Sequence, residues 1–268
     1  TRAPMFLRVT SRKSSIENVR TLLLEEKIET KTVEGSSKAL AVCSNIRKVK
    51  LTNAFKKGLF EVQDINSQIA CELLHLKSGS RVLDFCAGGG GKSLAIKDKA
   101  DVDITAYDLN IGRMKDIPVR SERTDTKIRM LTSLDEITGL KFDAVIWLAA
   151  LVGDGACAIN PALTHEINAE TVKNLTKNFK GKIIFLSTCS VYGAQEGILD
   201  EESSVNPLSE YASSKLVAEK YLEDSNAIIF RLGTLFGIGD QFSRIRLDLV
   251  VNILTTKALQ DKKMSVFG

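Results

Sequence analysis

The sequence has few of the features that mark special classes of protein. It holds five widely spaced cysteines and no CxxC pair, so neither a disulfide framework nor a zinc site is predicted. Its two histidines, His75 and His165, are isolated and lack metal-ligand spacing, so no metal is expected. No apolar stretch approaches the roughly 18 to 20 residues that cross a bilayer. A reducing, cytoplasmic location and no membrane partner are therefore predicted.

Length and charge set the next bounds. A chain of 268 residues can bury the core of one large or two small domains. It begins at Thr1, without Met or a charged-then-apolar leader, which favours a fragment or a processed chain. Residues 1–140 carry 24 Lys and Arg against 18 Asp and Glu, whereas residues 141–268 carry 13 against 15. The basic N-terminal half is the better candidate for contact with RNA, although an ordinary solvated surface explains the surplus equally well.

Alternating strand and helix patterns fill most of the chain. Before them, PMFLRV and the apolar segment at 39–43 predict a small strand-helix-strand module, with Ser14 and Glu17 forming a capping box at its helix. Residues 51–74 then predict a loop that leads into an amphipathic helix, with Ile65, Ile69, Leu73 and Leu74 on its apolar face. From Arg81 onward the alternation predicts an α/β fold: a doubly wound, Rossmann-like parallel sheet with covering helices. We expect one continuous sheet, with the strand at 81–86 beside the strand at 143–149.

A glycine-rich turn follows the first strand of that sheet, in the sequence RVLDFCAGGGGKS. Glycines let a backbone turn sharply and approach a ligand, and the next helix directs its N-terminal amides at that ligand. Asp108 ends the following strand, 20 residues after Gly88, where it can accept hydrogen bonds from ribose hydroxyls. A nucleoside-containing cofactor is predicted. The GKS ending is similar to a Walker loop, but Cys86 stands where that motif needs glycine, which excludes an NTPase.

The sequences GLFEVQDINSQIACELL and GSRVLDFCAGGGGK resemble the NOP/Sun family of RNA 5-methylcytosine methyltransferases over residues 4–135. By this resemblance Asp108 would hold the ribose of S-adenosylmethionine. The residues that would surround that cofactor are Asp84, Cys86, Ala87, Gly88, Gly90, Gly91 and Lys92. Gly89 replaces the proline usual in the family's loop. The family's D-A-P-C-S-G segment should follow FDAVI, yet the chain reads WLAALVGDG there, so one part of the methyltransferase chemistry is missing.

A different set of candidate catalytic residues lies downstream. Tyr211 and Lys215 are spaced i,i+4, so on a helix they share a face, and the ammonium can lower the pKa of the phenol from about 10 toward neutrality. Such a tyrosine can take a proton from a substrate hydroxyl as hydride leaves the same carbon. Thr188, in LSTCSVYG, follows a buried strand and can orient the substrate oxygen. YxxxK alone is a weak signal, but the combination favours an oxidoreductase.

Residues 142–268 resemble the NAD-dependent epimerase/dehydratase family of extended short-chain dehydrogenases. The matching segments are DAVIWLAALVGD, NPALTHEIN, KIIFLSTCSVYG, DEESSVNPLSEYASSKLVAE and AIIFRLGTLFG. This resemblance implies Thr188, Tyr211 and Lys215 as catalytic residues, Ala149 and Ala150 beside the cofactor, and a nucleotide-linked sugar or similar alcohol as substrate. No TGxxGxxG fingerprint precedes this half, and the methyltransferase-like loop lies about where that fingerprint should be.

Three functional hypotheses stay open. The leading one is an NAD(P)-dependent epimerase/dehydratase-type oxidoreductase fused to an RNA-methyltransferase-like half. The second is an S-adenosylmethionine-dependent RNA cytosine-C5 methyltransferase, for which Cys189 in the T-C-S sequence would be the nucleophile. The third is a catalytically silent chimera that only binds a nucleoside cofactor or RNA. The loop lacks a dinucleotide fingerprint, which favours S-adenosylmethionine over NAD at that position.

The predicted organisation follows from these patterns. Residues 1–50 form the small N-terminal α+β module, residues 51–140 a methyltransferase-like cofactor-binding half, and residues 141–268 an epimerase/dehydratase-like catalytic half that is incomplete at its end. The predicted ligands are NAD(P) or S-adenosylmethionine, a nucleotide-sugar-like small molecule, and RNA at the basic half. The sequence leaves the oligomeric state open.

Overall fold

The structure is a computed structural model that describes residues 4–233 and Gln260. Its strands are β1 Met5–Val9, β2 Thr30–Thr32, β3 Ala39–Val42, β4 Phe60–Val62, β5 Arg81–Phe85, β6 Asp103–Tyr107, β7 Arg129–Met130, β8 Ala144–Trp147, β9 Lys182–Thr188 and β10 Ala227–Leu232. Its helices are α1 Ile16–Glu25, α2 Asn53–Lys56, α3 Ile65–Glu72, α4 Gly91–Lys99, α5 Ile117–Arg123, α6 Asp154–Ile159, α7 Pro161–His165, α8 Thr171–Asn178 and α9 Glu210–Leu222.

The N-terminal residues form a four-stranded sheet in the order β2-β3-β1-β4. Strand β1 is central and pairs antiparallel with both β3 and β4. The sheet and α1 enclose an apolar core that includes Leu7, Leu23, Leu40 and Phe60, all fully buried. This sheet includes β4 at Phe60–Val62, so it reaches beyond the strand-helix-strand module predicted for the first fifty residues.

Two local predictions in this region are wrong. Ser15, and not Ser14, is the N-cap of α1, and its hydroxyl accepts from the Asn18 amide, so Glu17 forms no capping box. The amphipathic helix predicted towards the end of residues 51–74 is α3, and the preceding part, predicted as a loop, contains α2 and β4. Leu73, predicted on the apolar face, is the C-cap of α3 and is exposed.

The second sheet has six strands in the order β10-β9-β8-β5-β6-β7. Strand β5 lies between β6 and β8 and pairs parallel with both, with Asp84 opposite Ala106 on one side and Ile146 on the other. Strand β8 pairs parallel with β9 in turn. The predicted α/β class, the Rossmann-like parallel sheet and the adjacency of the strands at 81–86 and 143–149 are therefore confirmed.

The carboxyl ends of these strands lead into the predicted site residues. The glycine-rich loop follows β5, Asp108 follows β6, Ala149 and Ala150 follow β8, and Thr188 ends β9. In open parallel sheets, ligands bind in the crevice outside the carboxyl ends of the strands, at the point where the strand order reverses.

Residue contacts divide the chain into two compact units, and each is described by itself below. The first contains residues up to Ala149 together with Lys180–Phe185 and Asn226–Ile228. The second contains Ala150–Phe179, Leu186–Ser225 and the residues from Ile229. Within the part of the chain that the structure describes, no helix is both long and apolar enough to cross a membrane.

Candidate functional site

The loop after β5 in the first unit has an unusual backbone. Cys86, Gly88 and Gly90 all lie in the left-handed region, at φ values of 74°, 53° and 74°. The amides of Cys86 and Ala87 both donate to the Tyr107 carbonyl, each at 2.9 Å, which ties the start of the loop to the end of β6. At Gly90 a Cβ atom would lie 2.8 Å from Cγ1 of Ile117. A side chain there would clash with Ile117 and would also strain the left-handed backbone.

Asp108 anchors the same loop from the neighbouring strand. Its carboxylate is 3% exposed and accepts from the Gly88 amide and from the Asn110 amide, each at 3.0 Å. A carboxylate has about four lone-pair positions, so capacity remains for a ribose hydroxyl. The structure thus gives Asp108 a role in shaping the loop, while its ribose contact stays a prediction.

Two other predicted cofactor residues, Asp84 at the end of β5 and Cys86 at the start of the loop, have shifted pKa values. Asp84 is fully buried, Ser93 donates to its Oδ2 at 2.5 Å, and its Oδ1 has no hydrogen-bond partner among the described residues. Burial raises the pKa of Asp84, and the Ser93 hydroxyl opposes that shift. Burial, with the nearby Asp108 and Asp84 carboxylates, raises the pKa of Cys86 to about 11. Cys86 is therefore a protonated thiol at neutral pH and not a nucleophile.

The N-terminus of α4 suits the acceptor groups of a nucleoside cofactor. Its N-cap is Gly90, which has no side chain to bond the first amides of the helix. The first-turn amides of any helix lack intrahelical partners and carry partial positive charge. Gly91 and Lys92 begin this helix, and both, like Ala87, are partly accessible. The residues present therefore fit a phosphate or a carboxylate, the acceptors that NAD(P) and S-adenosylmethionine respectively carry.

The second unit contains the predicted catalytic residues. Thr188 is the last residue of β9, is 7% exposed, and accepts from the Ser190 amide at 3.2 Å. Tyr211 is half-buried at the second position of α9, and Lys215 lies four residues later on the same helix. Helix α9 packs against the turn Cys189–Tyr192 that directly follows Thr188. The structure thus brings the helix of Tyr211 and Lys215 against the segment that Thr188 begins.

Lys215 lies in an environment unusual for a lysine. It is only 3% exposed, and burial lowers its pKa to about 8, although the Glu219 carboxylate four residues later opposes this shift. Glu219 is itself buried, accepts from the Ser187 hydroxyl and is paired with Arg231 at 2.8 Å. Because Arg231 already compensates the charge of Glu219, that carboxylate offsets the burial of Lys215 only in part.

Asn168 is a functional candidate that reasoning from the sequence missed. It is 1% exposed within a π-helical turn, Glu166–Glu170, a feature often found at functional sites. Its side chain accepts from the Leu151 amide at 2.7 Å and donates to the Leu151 carbonyl at 2.9 Å and to Ser214 Oγ at 3.0 Å. It therefore fixes the segment that follows Ala150. Only the NPALTHEIN resemblance pointed to this region.

The remaining candidates lie as follows. Ala149 and Ala150 are half-buried just after β8. Cys189 is half-buried in the turn after Thr188 and is a free thiol. In the described part of the chain, no group of three or more His, Cys, Asp or Glu residues could hold a metal ion. His75 and His165 are both exposed.

Comparison with known proteins identifies the family. The sequence profile of the NAD dependent epimerase/dehydratase family matches residues 79–268. The chain belongs to this family. The resemblance in motifs begins only at residue 142, whereas the family match begins at residue 79. The family match therefore includes the glycine-rich loop of this chain.

Relatives of both predicted kinds are found. Ribosomal RNA small subunit methyltransferase B of Pasteurella multocida is 28% identical over 227 residues, 76% of this chain and 50% of that protein. An uncharacterized UDP-glucose epimerase of Bacillus subtilis is 29% identical over 176 residues, 61% of this chain and 54% of that protein. The chain spans about half the length of these curated relatives. The predicted composite of the two families is confirmed.

Solved structures of both kinds are similar to this chain in fold. A methyltransferase homolog from Pyrococcus horikoshii is similar with a TM-score of 0.54 and 20% identity, covering 66% of this chain and 60% of that one. UDP-glucuronic acid 4-epimerase from Bacillus cereus, solved in complex with NAD, gives a TM-score of 0.52 and 24% identity, covering 70% of this chain and 65% of that one. Both similarities show the fold alone. The family match supports NAD(P), one of the two predicted cofactors.

Proposed function

We propose that this protein is an NAD(P)-dependent oxidoreductase of epimerase/dehydratase type that acts on a nucleotide-linked sugar or a similar alcohol. The observation that carries the proposal is the burial of Lys215 one helical turn after Tyr211. Lysine is almost never fully buried unless it is paired or functional, and strongly shifted pKa values cluster at functional sites. The family match over residues 79–268 supports the same reaction class.

In the proposed reaction, Tyr211, Lys215 and Thr188 have separate roles. The phenol oxygen of Tyr211 takes a proton from the substrate hydroxyl and returns it in the reverse step. Lys215 supplies the positive charge that favours the phenolate while the proton is away. Thr188, at the end of β9, contributes a hydroxyl that orients the substrate oxygen. NAD(P), when bound, supplies a hydride acceptor.

The glycine-rich loop and Asp108 would hold this cofactor in the proposed enzyme. The uncapped N-terminus of α4 suits a pyrophosphate, and the spare acceptor capacity of Asp108 suits a ribose hydroxyl. Because the family profile begins at residue 79, it includes this loop, which supports NAD(P) although the loop has no TGxxGxxG sequence.

Paired tyrosine variants test the proposal. Purified chain is incubated with NAD and UDP-glucose as the probe substrate, and the C4 epimer is measured by NMR. Tyr211→Phe is expected to abolish turnover and to change NAD affinity less than about twofold, because one oxygen is lost and little volume changes. Tyr221→Phe is the matched control on the same helix: its hydroxyl donates to Glu170 at 2.9 Å, and turnover should persist. Unchanged turnover in Tyr211→Phe would assign the chemistry elsewhere.

A second function, S-adenosylmethionine-dependent methylation of RNA cytosine, is favoured by one observation. The similarity to ribosomal RNA small subunit methyltransferase B extends over 76% of the chain. In that case Cys189 would attack the pyrimidine ring and form a covalent bond to it. Transfer of labelled methyl groups to ribosomal RNA by the native chain, abolished in Cys189→Ser but not in Tyr211→Phe, would establish this function in place of the first. A chain that binds a nucleoside cofactor or RNA but turns over neither substrate would be the silent chimera.

A further inference from the structure

Two carbonyl groups of the glycine-rich loop accept hydrogen bonds from distant side chains of the first unit. Arg120 donates from Nη1 to the Gly89 carbonyl. Gln63 donates from Nε2 to the Gly91 carbonyl at 3.2 Å. These contacts lie at the point where the loop becomes helix α4, so they fix the direction in which the first amides of that helix point.

Each donor is held in turn by a charged residue of the N-terminal sheet. Glu61 on β4 accepts from Arg120 Nε at 2.9 Å and also pairs with Arg123 at 2.5 Å. Arg8 on β1 donates from Nε to Gln63 Oε1 at 2.8 Å. Two chains of hydrogen bonds therefore run from the N-terminal sheet to the loop.

The burial of these groups indicates that they orient the glycine-rich loop rather than add to the net stability of the fold. Arg8 is 3% exposed and Glu61 is 2% exposed. Removing such charges from water costs several kcal/mol per ion, and well-packed apolar residues stabilise a fold at least as well as a buried ion pair. What apolar residues cannot supply is a fixed donor at a chosen backbone carbonyl.

We propose that the four-stranded N-terminal sheet positions the glycine-rich loop for its cofactor, with Arg120 and Gln63 as the positioning residues. The inference rests on the proposed function only in taking the loop as the cofactor-binding segment. These donors fix the orientation of the Gly89 and Gly91 carbonyls, and so direct the first-turn amides of α4, which lack intrahelical acceptors, toward the acceptor groups of the cofactor.

Gln63→Glu tests this inference by replacing the side-chain amide with a carboxylate. The carboxylate still accepts from Arg8, but it has no donor for the Gly91 carbonyl. Hydrogen exchange is measured by mass spectrometry without cofactor at the amides of Gly88, Gly90 and Leu94, which donate to Asp108, Ala87 and Gly90 respectively. Their exchange should become about tenfold faster, and cofactor affinity, measured calorimetrically with NAD, NADP and S-adenosylmethionine, should fall about tenfold.

Two comparisons separate positioning from general loss of structure. Gln195→Glu removes amide donors to the Tyr192 and Ser204 carbonyls, at 2.6 and 2.7 Å, without touching the loop, so loop exchange and cofactor affinity should stay unchanged. Arg120→Met should behave like Gln63→Glu, whereas Arg120→Lys, which keeps a donor and a charge, should restore part of the protection.

The outcomes are distinguishable from those of the proposed function. Unchanged loop exchange in both Gln63→Glu and Arg120→Met would overturn the inference whether or not a cofactor binds. Equally faster exchange throughout β5 would also overturn it, because the two chains of hydrogen bonds would then stabilise the whole first unit and not the loop in particular. Failure of the native chain to bind NAD or NADP would contradict the proposed function, yet the exchange measurement would still decide this inference.

Discussion

Arg231 binds the Glu219 carboxylate through two nitrogens, with Nη2 at 2.8 Å and Nε at 3.1 Å from Oε2. Arg231 also donates to the Tyr192 hydroxyl at 3.0 Å and lies over its ring, 5.0 Å from the centroid. Ser187 donates to the other oxygen of Glu219. This network joins α9, the helix that carries Tyr211 and Lys215, to the ends of β9 and β10.

Removal of Arg231 is therefore expected to destabilise the protein. Arg231→Met leaves the buried Glu219 carboxylate without its arginine partner, and breaking one partner of a buried ion pair costs about 3 kcal/mol. Urea denaturation measures the free energy of unfolding. Lys220→Met, which removes an exposed charge from the same helix, should change it by less than about 0.5 kcal/mol. Equal losses in both variants would contradict this account of the network.

The buried Lys215 predicts a specific pH dependence of stability. Its pKa is about 8 in the folded state against an ordinary 10.5, so between these values the unfolded chain binds more protons and stability rises with pH. Below pH 8 both states are protonated, and the burial of the charge remains unfavourable by about 3 kcal/mol. The free energy of unfolding of the native chain, relative to Lys215→Met, should therefore increase as pH rises from 8 to 10.5.

The exposed Lys220 again provides the comparison, because Lys220→Met removes a lysine that stays in contact with water. The rise for Lys215→Met should exceed any change seen with this exposed-site variant over the same range. Equal pH dependence of the two variants would remove the main support of the proposed catalytic environment.

Gly90 predicts a local requirement for glycine. In Gly90→Ala the added Cβ meets Ile117 at 2.8 Å in a backbone conformation that alanine adopts with strain, so we expect a loss of about 2 kcal/mol and weaker cofactor binding. Gly155→Ala in α6 is the control, since no atom lies within 4 Å of its Cβ position. It should be neutral or stabilising by up to about 1 kcal/mol in the same denaturation experiment. Similar effects of the two substitutions would contradict the loop geometry.

Sequence periodicity was sufficient to predict the parallel sheet, because each strand from β5 onward is a short apolar run followed by turn residues or a helix pattern. It was insufficient where tertiary pairing overrides local preference. Residues 60–62 are predicted as part of a loop, but they form β4 because they pair with β1. Glu17 fits a capping box, yet the helix begins one residue later than that pattern requires.

Reasoning from the sequence identified candidate functional residues but not the side chains that hold them in place. The loop and the Tyr211–Lys215 pair are local patterns, so they can be read from spacing alone. Arg120 lies 31 residues from Gly89 and 59 from Glu61, and no local pattern connects them. The same holds for Glu219 and Arg231, whose pairing depends on the packing of α9 with β10. Such long-range hydrogen bonds follow from the fold and not from neighbouring residues.

Calorimetric titration of the purified chain with NAD, NADP and S-adenosylmethionine tests the central claim most directly. The proposed oxidoreductase should bind NAD or NADP saturably, and Asp108→Ala should weaken that binding at least about tenfold, because it removes both the predicted ribose acceptor and the anchor of the Gly88 amide. Saturable binding of S-adenosylmethionine alone, with no heat from NAD or NADP, would contradict the account and favour the methyltransferase.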